Sequence, residues 1–234
     1  MARQLLLDPS DLYTRLQDAD CVIFDCRFNL KDTSAGFNAY LEAHIPGAVY
    51  AHLDNNLSSP ITATSGRHPL PDADSFASFL ARSGWSPGKM LVAYDDAGGS
   101  IAARLWWLMK YFGHDCGALP DGGIKAWIEA GFKLESGKVS TASQAAVHLQ
   151  EDKGIVLSAS DVAAALRTGE IILADARDGN RFAGKIEPID TVAGHIPGAV
   201  NFPLTQNLAT DGCLLPAKTL RDQFREILKG RDAQ

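Results

Sequence analysis

"EAHIPGAVYAHLDNNLSS" (residues 42–59) returns near the other end of the chain as "AGHIPGAVNFPLTQNLAT" (residues 193–210). Shared residues at this density and in one order mark an internal duplication, so a repeated unit rather than any single element defines the fold. The match extends upstream. "CVIFDCR" (residues 21–27) aligns with "IILADAR" (residues 171–177), two short apolar runs that each end in Asp-x-Arg. A run apolar on both faces predicts a buried parallel strand. His-Ile-Pro-Gly then reads as a turn, and "AVYAHL" and "AVNFPL" read as a second strand in each copy. Asp8 and Asp11 match Ser158 and Asp161, each pair predicting a helix N-terminus. Pro9 suits a first helical position and Gly169 a helix stop.

After "LPDADSFASFL" and "LPAKTLRDQF", each predicted to form a short helix, only the first copy continues. It adds a strand "MLVAYD", a loop "DAGGS", a helix "IAARLWWLMKYFGH", a turn "PDGG" and a helix "IKAWIEAGF". Alternating strands and helices predict an α/β fold with parallel sheets flanked by helices. The expected organisation is a first domain over residues 1–134, a linker over 135–154 and an incomplete second domain over 155–234. Trp106, Trp107, Tyr111 and Phe112 lie at helical spacing and are expected in the core and in contacts between domains.

Composition narrows the function classes. With 234 residues, 46% of them hydrophobic, the chain can bury one large core or two modest ones. A net charge of −6 without any run of Lys and Arg argues against a nucleic-acid surface. The three leucines of "MARQLLLDPS" are too few for a signal peptide, and nothing approaches a membrane span. Cys21, Cys26, Cys116 and Cys213 form no CxxC pair and no disulfide framework. The expectation is a soluble, reduced, cytoplasmic protein without a metal site. Cys21 and Arg27 have the C-x5-R spacing of a phosphatase loop, but "VIFDC" between them is a strand with no glycine to turn N–H groups onto a phosphate.

"HIPGAV" in both copies, "DAR" before the second, "DGGIKAW" and "YDDAGGSIAARLWWLMKYFGH" resemble the tandem-domain rhodanese family, the thiosulfate and 3-mercaptopyruvate sulfurtransferases. The resemblance covers nearly the whole chain. It implies two rhodanese-like domains and a catalytic cysteine in the second. That cysteine sits in a loop between a buried strand and a helix, where N–H groups lower its pKa and stabilise a persulfide. In the first copy the matching position is Asp95, which cannot carry sulfane sulfur. In the second copy the matching segment is absent from the sequence as given, so this chain is expected to lack the nucleophile.

The same resemblance implies further roles. Arg181 would face an anionic donor, and the alternative is a solvated loop arginine. His68 and Asp54 would form a proton relay, with Arg67 beside them to attract an anion, and the alternative is ordinary solvated loop residues. Asp25, Arg27, Asp175 and Arg177 read as structural pairs at strand ends. His44 and His195 read as turn residues bonded to main chain, and Asn201 is placed on a strand beside the cleft. The implied partners are a small anionic sulfur donor and a cyanide or thiol acceptor, with no cofactor, nucleic acid or membrane. A C-terminal segment, a second fragment or a swapped chain is expected to complete the second domain. The competing reading is a catalytically dead rhodanese-like binding or regulatory module.

Overall fold

The computed structural model describes residues 5–144 and 147–231. The chain divides into two units, Met1–Lys153 and Gly154–Gln234. The first contains β1 (Leu6–Leu7), α1 (Pro9–Arg15), β2 (Cys21–Asp25), α2 (Ala35–Glu42), β3 (Val49–Tyr50), α3 (Leu53–Asn56), α4 (Ala73–Arg82), β4 (Met90–Tyr94), α5 (Ala102–Tyr111), β5 (Gly117–Pro120) and α6 (Gly123–Glu129). Its strands form one parallel sheet in the order β1-β5-β4-β2-β3.

β4 is the centre of this sheet. It pairs with β2 from Cys21↔Met90 to Asp25↔Tyr94 and with β5 on its other side. Side chains alternate across a strand. Leu91 and Ala93 therefore enter one core with Phe24, Phe76, Leu80, Trp85, Leu105 and Phe112. Val92 and Tyr94 enter the opposite core with Leu12, Ile23, Ile45, Ala118, Ile124 and Trp127. Two covered faces explain why these strands read as continuous apolar runs.

Local chemistry sets the element ends as the sequence predicts. Asp8 caps α1 by accepting the Asp11 N–H at 2.8 Å, with Pro9 in the first turn. Asp72, not singled out in the sequence, caps α4 through the Ser75 N–H at 3.0 Å. The sequence gives no warning of β1, a pair of leucines that adds to the sheet beside β5, nor of α2 and α3. Tyr111 and Phe112 are buried in the first core, and Trp107 stacks on Tyr111 with ring centroids 5.4 Å apart. Trp106 lies over Gly117, where an added Cβ would meet its ring at 2.6 Å.

Residues 135–144 and 147–152, within the stretch 135–154 expected to be a linker, run along the first unit. Glu135 exchanges backbone bonds with His44, at 2.8 and 2.9 Å, and the Val139 N–H donates to the Tyr40 hydroxyl. Val147 is buried in the first core, and the Asp152 N–H donates to the Tyr111 carbonyl at 2.7 Å. Hydrogen-bond partners and one apolar anchor make this stretch part of the fold it leaves.

The second unit contains α7 (Ala159–Thr168), β6 (Ala174–Asp175), α8 (Gly179–Phe182), β7 (Val200–Asn201) and α9 (Ala217–Leu228). Ser158 and Asp161 form the expected capping box, and Gly169 ends α7 at φ 72°. β6 and β7 pair in parallel as a two-stranded sheet. The strands predicted over 171–177 and 199–204 are thus reduced to two residues each. For β6 the reason is ladder support: β2 runs between β3 and β4, whereas among the described residues β6 has β7 alone; β7 matches β3, which is also two residues long where "AVYAHL" predicted a longer strand.

Close backbone approach fixes one glycine in the first unit. A Cβ on Gly36 would lie 1.9 Å from the Arg27 carbonyl oxygen, a contact that only a backbone shift relieves. Gly36→Ala is expected to destabilise the fold by about 3 kcal/mol or more, read as a fall in the urea midpoint at unchanged slope.

Candidate functional site

The end of β2 carries a buried fork. Asp25 is fully buried, and its carboxylate accepts the Arg27 N–H at 3.0 Å, Arg27 Nε at 3.0–3.1 Å and the Tyr94 hydroxyl at 2.8 Å. The nearest contact is Arg27 Nη2 to Asp25 Oδ2 at 2.6 Å, and the same Nη2 donates to the Ala43 carbonyl. Tyr50, opposite Asp25 in register, donates its hydroxyl to the Arg27 carbonyl at 3.0 Å.

The second unit repeats this construction. Arg177 grips Asp175 through N, Nε and Nη2, at 2.9, 3.0 and 2.6 Å, and its Nη2 donates to the Gly194 carbonyl at 2.7 Å. Asn201, opposite Asp175 in register, donates to the Asp175 and Arg177 carbonyls. The amide of Asn201 is therefore spent on main chain. The two histidines also match. His44 Nδ1 lies 2.7 Å from the Tyr40 carbonyl and its ring stacks on Tyr40, while His195 Nδ1 lies 2.8 Å from the Phe182 carbonyl and stacks on Phe182. Each ties the His-Ile-Pro-Gly turn to the preceding helix.

Burial separates the copies. The side chains of Arg27 and Asp25 are 9% and 0% exposed, against 29% and 14% for Arg177 and Asp175. Arg27→Met leaves a buried carboxylate without its cation and is expected to lower stability by about 3–5 kcal/mol. Arg177→Met, with water at hand, is expected to lower it by much less. Parallel denaturation of the two variants measures the contrast.

The loop after β4 closes on its own first residue. Asp95 is 1% exposed. Its Oδ1 accepts the N–H groups of Ala97 and Gly99 at 2.9 and 2.8 Å, and its Oδ2 those of Ile101 and Ala102 at 2.8 and 2.9 Å. These are the N–H groups that a loop and a helix start offer to an anion. The anion here is a side chain of the loop itself.

His68 and Asp54, fourteen positions apart, are brought together: His68 Nε2 lies 3.1 Å from Asp54 Oδ1. Asp54 sits in the first turn of α3, whose N-cap is His52, with Nδ1 accepting the Asp54 N–H at 3.1 Å. Arg104 on α5 holds the loop that carries His68. Its Nε donates to the Leu57 carbonyl, and its Nη2 to Ser58 Oγ and the His68 and Pro69 carbonyls. Asp54, Asn55, Ser58 and Arg67 border a cavity of about 350 Å³. Neither His52 nor Arg104 was singled out in the sequence, although an arginine within "IAARLWWL" on an apolar helix was a visible cue.

The His68 imidazole is held below the ordinary histidine range, first by burial and further by Arg104 and Arg67, with Asp54 opposing. Protonation therefore works against the folded site as pH falls. Asp54→Asn removes the charge that favours the imidazolium, so the His68 pKa is expected to fall further. An NMR titration of the imidazole Cε1–H checks the direction, and a rise would refute the pairing.

Arg181, on α8, donates from Nη2 to Glu187 Oε1 at 2.8 Å and Oε2 at 3.1 Å, and to Asp190 Oδ2 at 3.0 Å. Glu187 also reaches Arg177 Nη1 at 3.4 Å. Its carboxyl is pushed down to about 2, chiefly by Arg181 and then by the Asp190 N–H. Sequence reasoning found Arg181 but neither acid, since "KIEPIDTVAG" carries no spacing that points at an arginine upstream.

The cysteines are placed for packing. Burial raises the Cys21 thiol to about 11, and burial beside Asp25 and Asp95 raises Cys26 well above the usual thiol range, so neither is a thiolate near neutrality. Cys116 is buried at the start of β5, and Cys213 lies in a turn near the Leu208–Leu214 bridge. Among the described residues no group of three or more His, Cys, Asp or Glu side chains is placed to hold a metal ion, and no helix is long and apolar enough to cross a membrane.

A parallel α/β sheet with a loop of inward N–H groups after its central strand, preceded by an Asp-x-Arg fork and a His-Ile-Pro-Gly turn, defines the class of fold. The chain belongs to the rhodanese family: residues 8–130, more than half of its length, match the rhodanese-like domain. It is 42% identical over 233 residues to a probable 3-mercaptopyruvate sulfurtransferase of Pseudomonas aeruginosa, covering 99% of this chain and 82% of that protein. It is 39% identical to a putative thiosulfate sulfurtransferase of Mycobacterium tuberculosis, over 91% of this chain and 75% of the relative. Its structure is similar to 3-mercaptopyruvate sulfurtransferase from Leishmania major, with a TM-score of 0.83 and 31% identity, covering 97% of this chain and 62% of that one.

Proposed function

We propose that this chain is part of a two-domain sulfurtransferase that carries sulfane sulfur from thiosulfate or 3-mercaptopyruvate to cyanide or a thiol through a cysteine persulfide. The observation that carries the reading is the Asp95 loop: a complete anion cradle whose occupant is a carboxylate. Relatives named for both donors support it. The nucleophile would be a cysteine at the counterpart of Asp95 in the second unit, on a segment outside this sequence.

Exposure in the second unit supports such a segment. Ile45 is fully buried by Val92, Tyr94, Ala118, Ile124 and Trp127, all from β4, β5 and α6. Its counterpart Ile196 is 55% exposed, and Val192 is 78% exposed. The frame of the second unit is formed, yet the elements that would cover it have no counterpart in residues 154–231. A strand from the same polypeptide, a second fragment or a swapped chain would add at the edge of β6 opposite β7, as β4 adds to β2.

In the proposed reaction the thiolate attacks the outer sulfur of thiosulfate, forming the Cys–S–S⁻ anion as sulfite leaves with the electron pair of the broken S–S bond. Loop N–H groups stabilise the persulfide anion. With 3-mercaptopyruvate the C–S bond breaks, and the departing pyruvate enolate takes up a proton to give pyruvate. Arg181 seats the donor's anionic group. Cyanide or a thiolate then takes the outer sulfur and regenerates the cysteine thiolate. No metal or organic cofactor enters these steps.

Thiocyanate formation by the intact gene product, with tandem mass spectrometry to locate the added sulfur, tests the reading. Turnover is expected from the intact product, with sulfur on a cysteine outside residues 1–234, and none from residues 1–234 alone. Persulfide on Cys21, Cys26, Cys116 or Cys213 would overturn the assignment of the nucleophile. Absence of turnover with both donors would leave the binding-module reading in its place.

A further inference from the structure

The helix that carries Asp54 is a single turn, and His52 closes it with three of its own groups. The His52 carbonyl accepts the N–H groups of Asn56 and Leu57 at 2.9 and 3.3 Å. Its N–H donates to Asn56 Oδ1 at 2.9 Å, and its Nδ1 accepts the N–H groups of Asp54 and Asn55 at 3.1 and 3.4 Å. So short a helix has too few internal bonds to hold its own first residues. Leu53 and Leu57 anchor the turn in the first core, and the direction of its leading N–H groups is left to the cap.

Asp54 is the residue so held. Its N–H meets His52, and its carboxylate meets His68 Nε2 at 3.1 Å. The two histidines also share a neighbour. Phe28, which follows directly on the Arg27 fork, stands edge-on to both rings, with centroids 5.3 Å from His52 and 6.3 Å from His68. Tyr50 meets the His52 ring edge-on at 6.0 Å. Two aromatic contacts thus orient the His52 ring, and its acceptor nitrogen faces the backbone of the acid.

We propose that His52 is a positioning residue for the His68–Asp54 pair: by accepting the Asp54 N–H it fixes the backbone of the acid and so aims the carboxylate at His68 Nε2. The inference rests on the reading of His68 and Asp54 as a proton relay, and its test is independent of turnover. It requires a neutral His52 ring with its proton on Nε2, since a ring protonated at Nδ1 has no lone pair to offer the two N–H groups. What His52 does to the turn, His68 feels as a change in its distance to a negative charge.

The readout is the proton affinity of His68 in the 234-residue chain, followed through its imidazole Cε1–H resonance. His52→Asn keeps a side-chain acceptor at the N-cap at every pH, while His52→Leu fills the place of the ring against Phe28 and Tyr50 without one. The proton affinity of His68 is expected to be about threefold lower in His52→Leu than in His52→Asn, the scale of a partly exposed ion pair. His52→Ala is expected to follow His52→Leu. In an Asp54→Asn background the difference between His52→Leu and His52→Asn should vanish, because the charge through which His52 acts is gone.

Equal affinities in His52→Asn, His52→Leu and His52→Ala, whatever their melting temperatures, would make His52 a helix cap only and overturn the proposal. A difference that persists in the Asp54→Asn background would show His52 acting on His68 by another path and overturn it as well. If Asp54→Asn alone leaves the affinity unchanged, the pair itself falls, and the inference with it.

Discussion

The Arg27–Asp25 fork is the contact on which the first unit turns. It closes the end of β2, holds the carbonyl at the end of α2 through Ala43, and receives the hydroxyl of Tyr94 from the central strand. A carboxylate fully removed from water has to be satisfied on every side, and these donors come from separate parts of the chain. The Tyr94 hydroxyl in turn accepts the Ile45 N–H at 3.1 Å, which fixes the turn that follows His44. One Asp-x-Arg sequence thus sets strand, helix and turn relative to each other. Its repetition at Asp175 and Arg177 explains how the second unit keeps the same local frame with much less apolar cover.

The contrast between the units separates two sources of order. Hydrogen bonds around Asp175 need only neighbours within 26 residues of chain, and they form at β6 and β7 as they do at β2 and β3. Apolar burial needs the later elements. β4 feeds both cores of the first unit through alternate side chains, and no described strand does so for the second. A polar frame can be specified locally; a two-faced core cannot.

Much of this was legible from repetition. Two aligned Asp-x-Arg runs, two His-Ile-Pro-Gly turns and the paired caps at Asp8 and Ser158 gave the parallel α/β architecture and the registry of the copies. The strand over 171–177 is shorter than predicted because an apolar run forms a full strand only when neighbours exist on both sides to pair with it. The polar, alanine-rich composition of residues 135–144 hides bonds from their backbone N–H groups to the Leu41 and Ala81 carbonyls and to the Tyr40 hydroxyl. At the candidate site, His68 and Asp54 were found through family likeness, and geometry then brought them within 3.1 Å. His52, Arg104, Glu187 and Asp190 stayed hidden, since each acts on a loop that no periodicity describes.

The loop after β4 carries its own counter-charge. Its four N–H donors converge on one point, and the carboxylate that meets them belongs to the first residue of the same loop. A covalently tethered anion, rather than one captured from solution, thus sets the turn and the start of α5. The loop keeps its shape whatever the concentration of small anions around it.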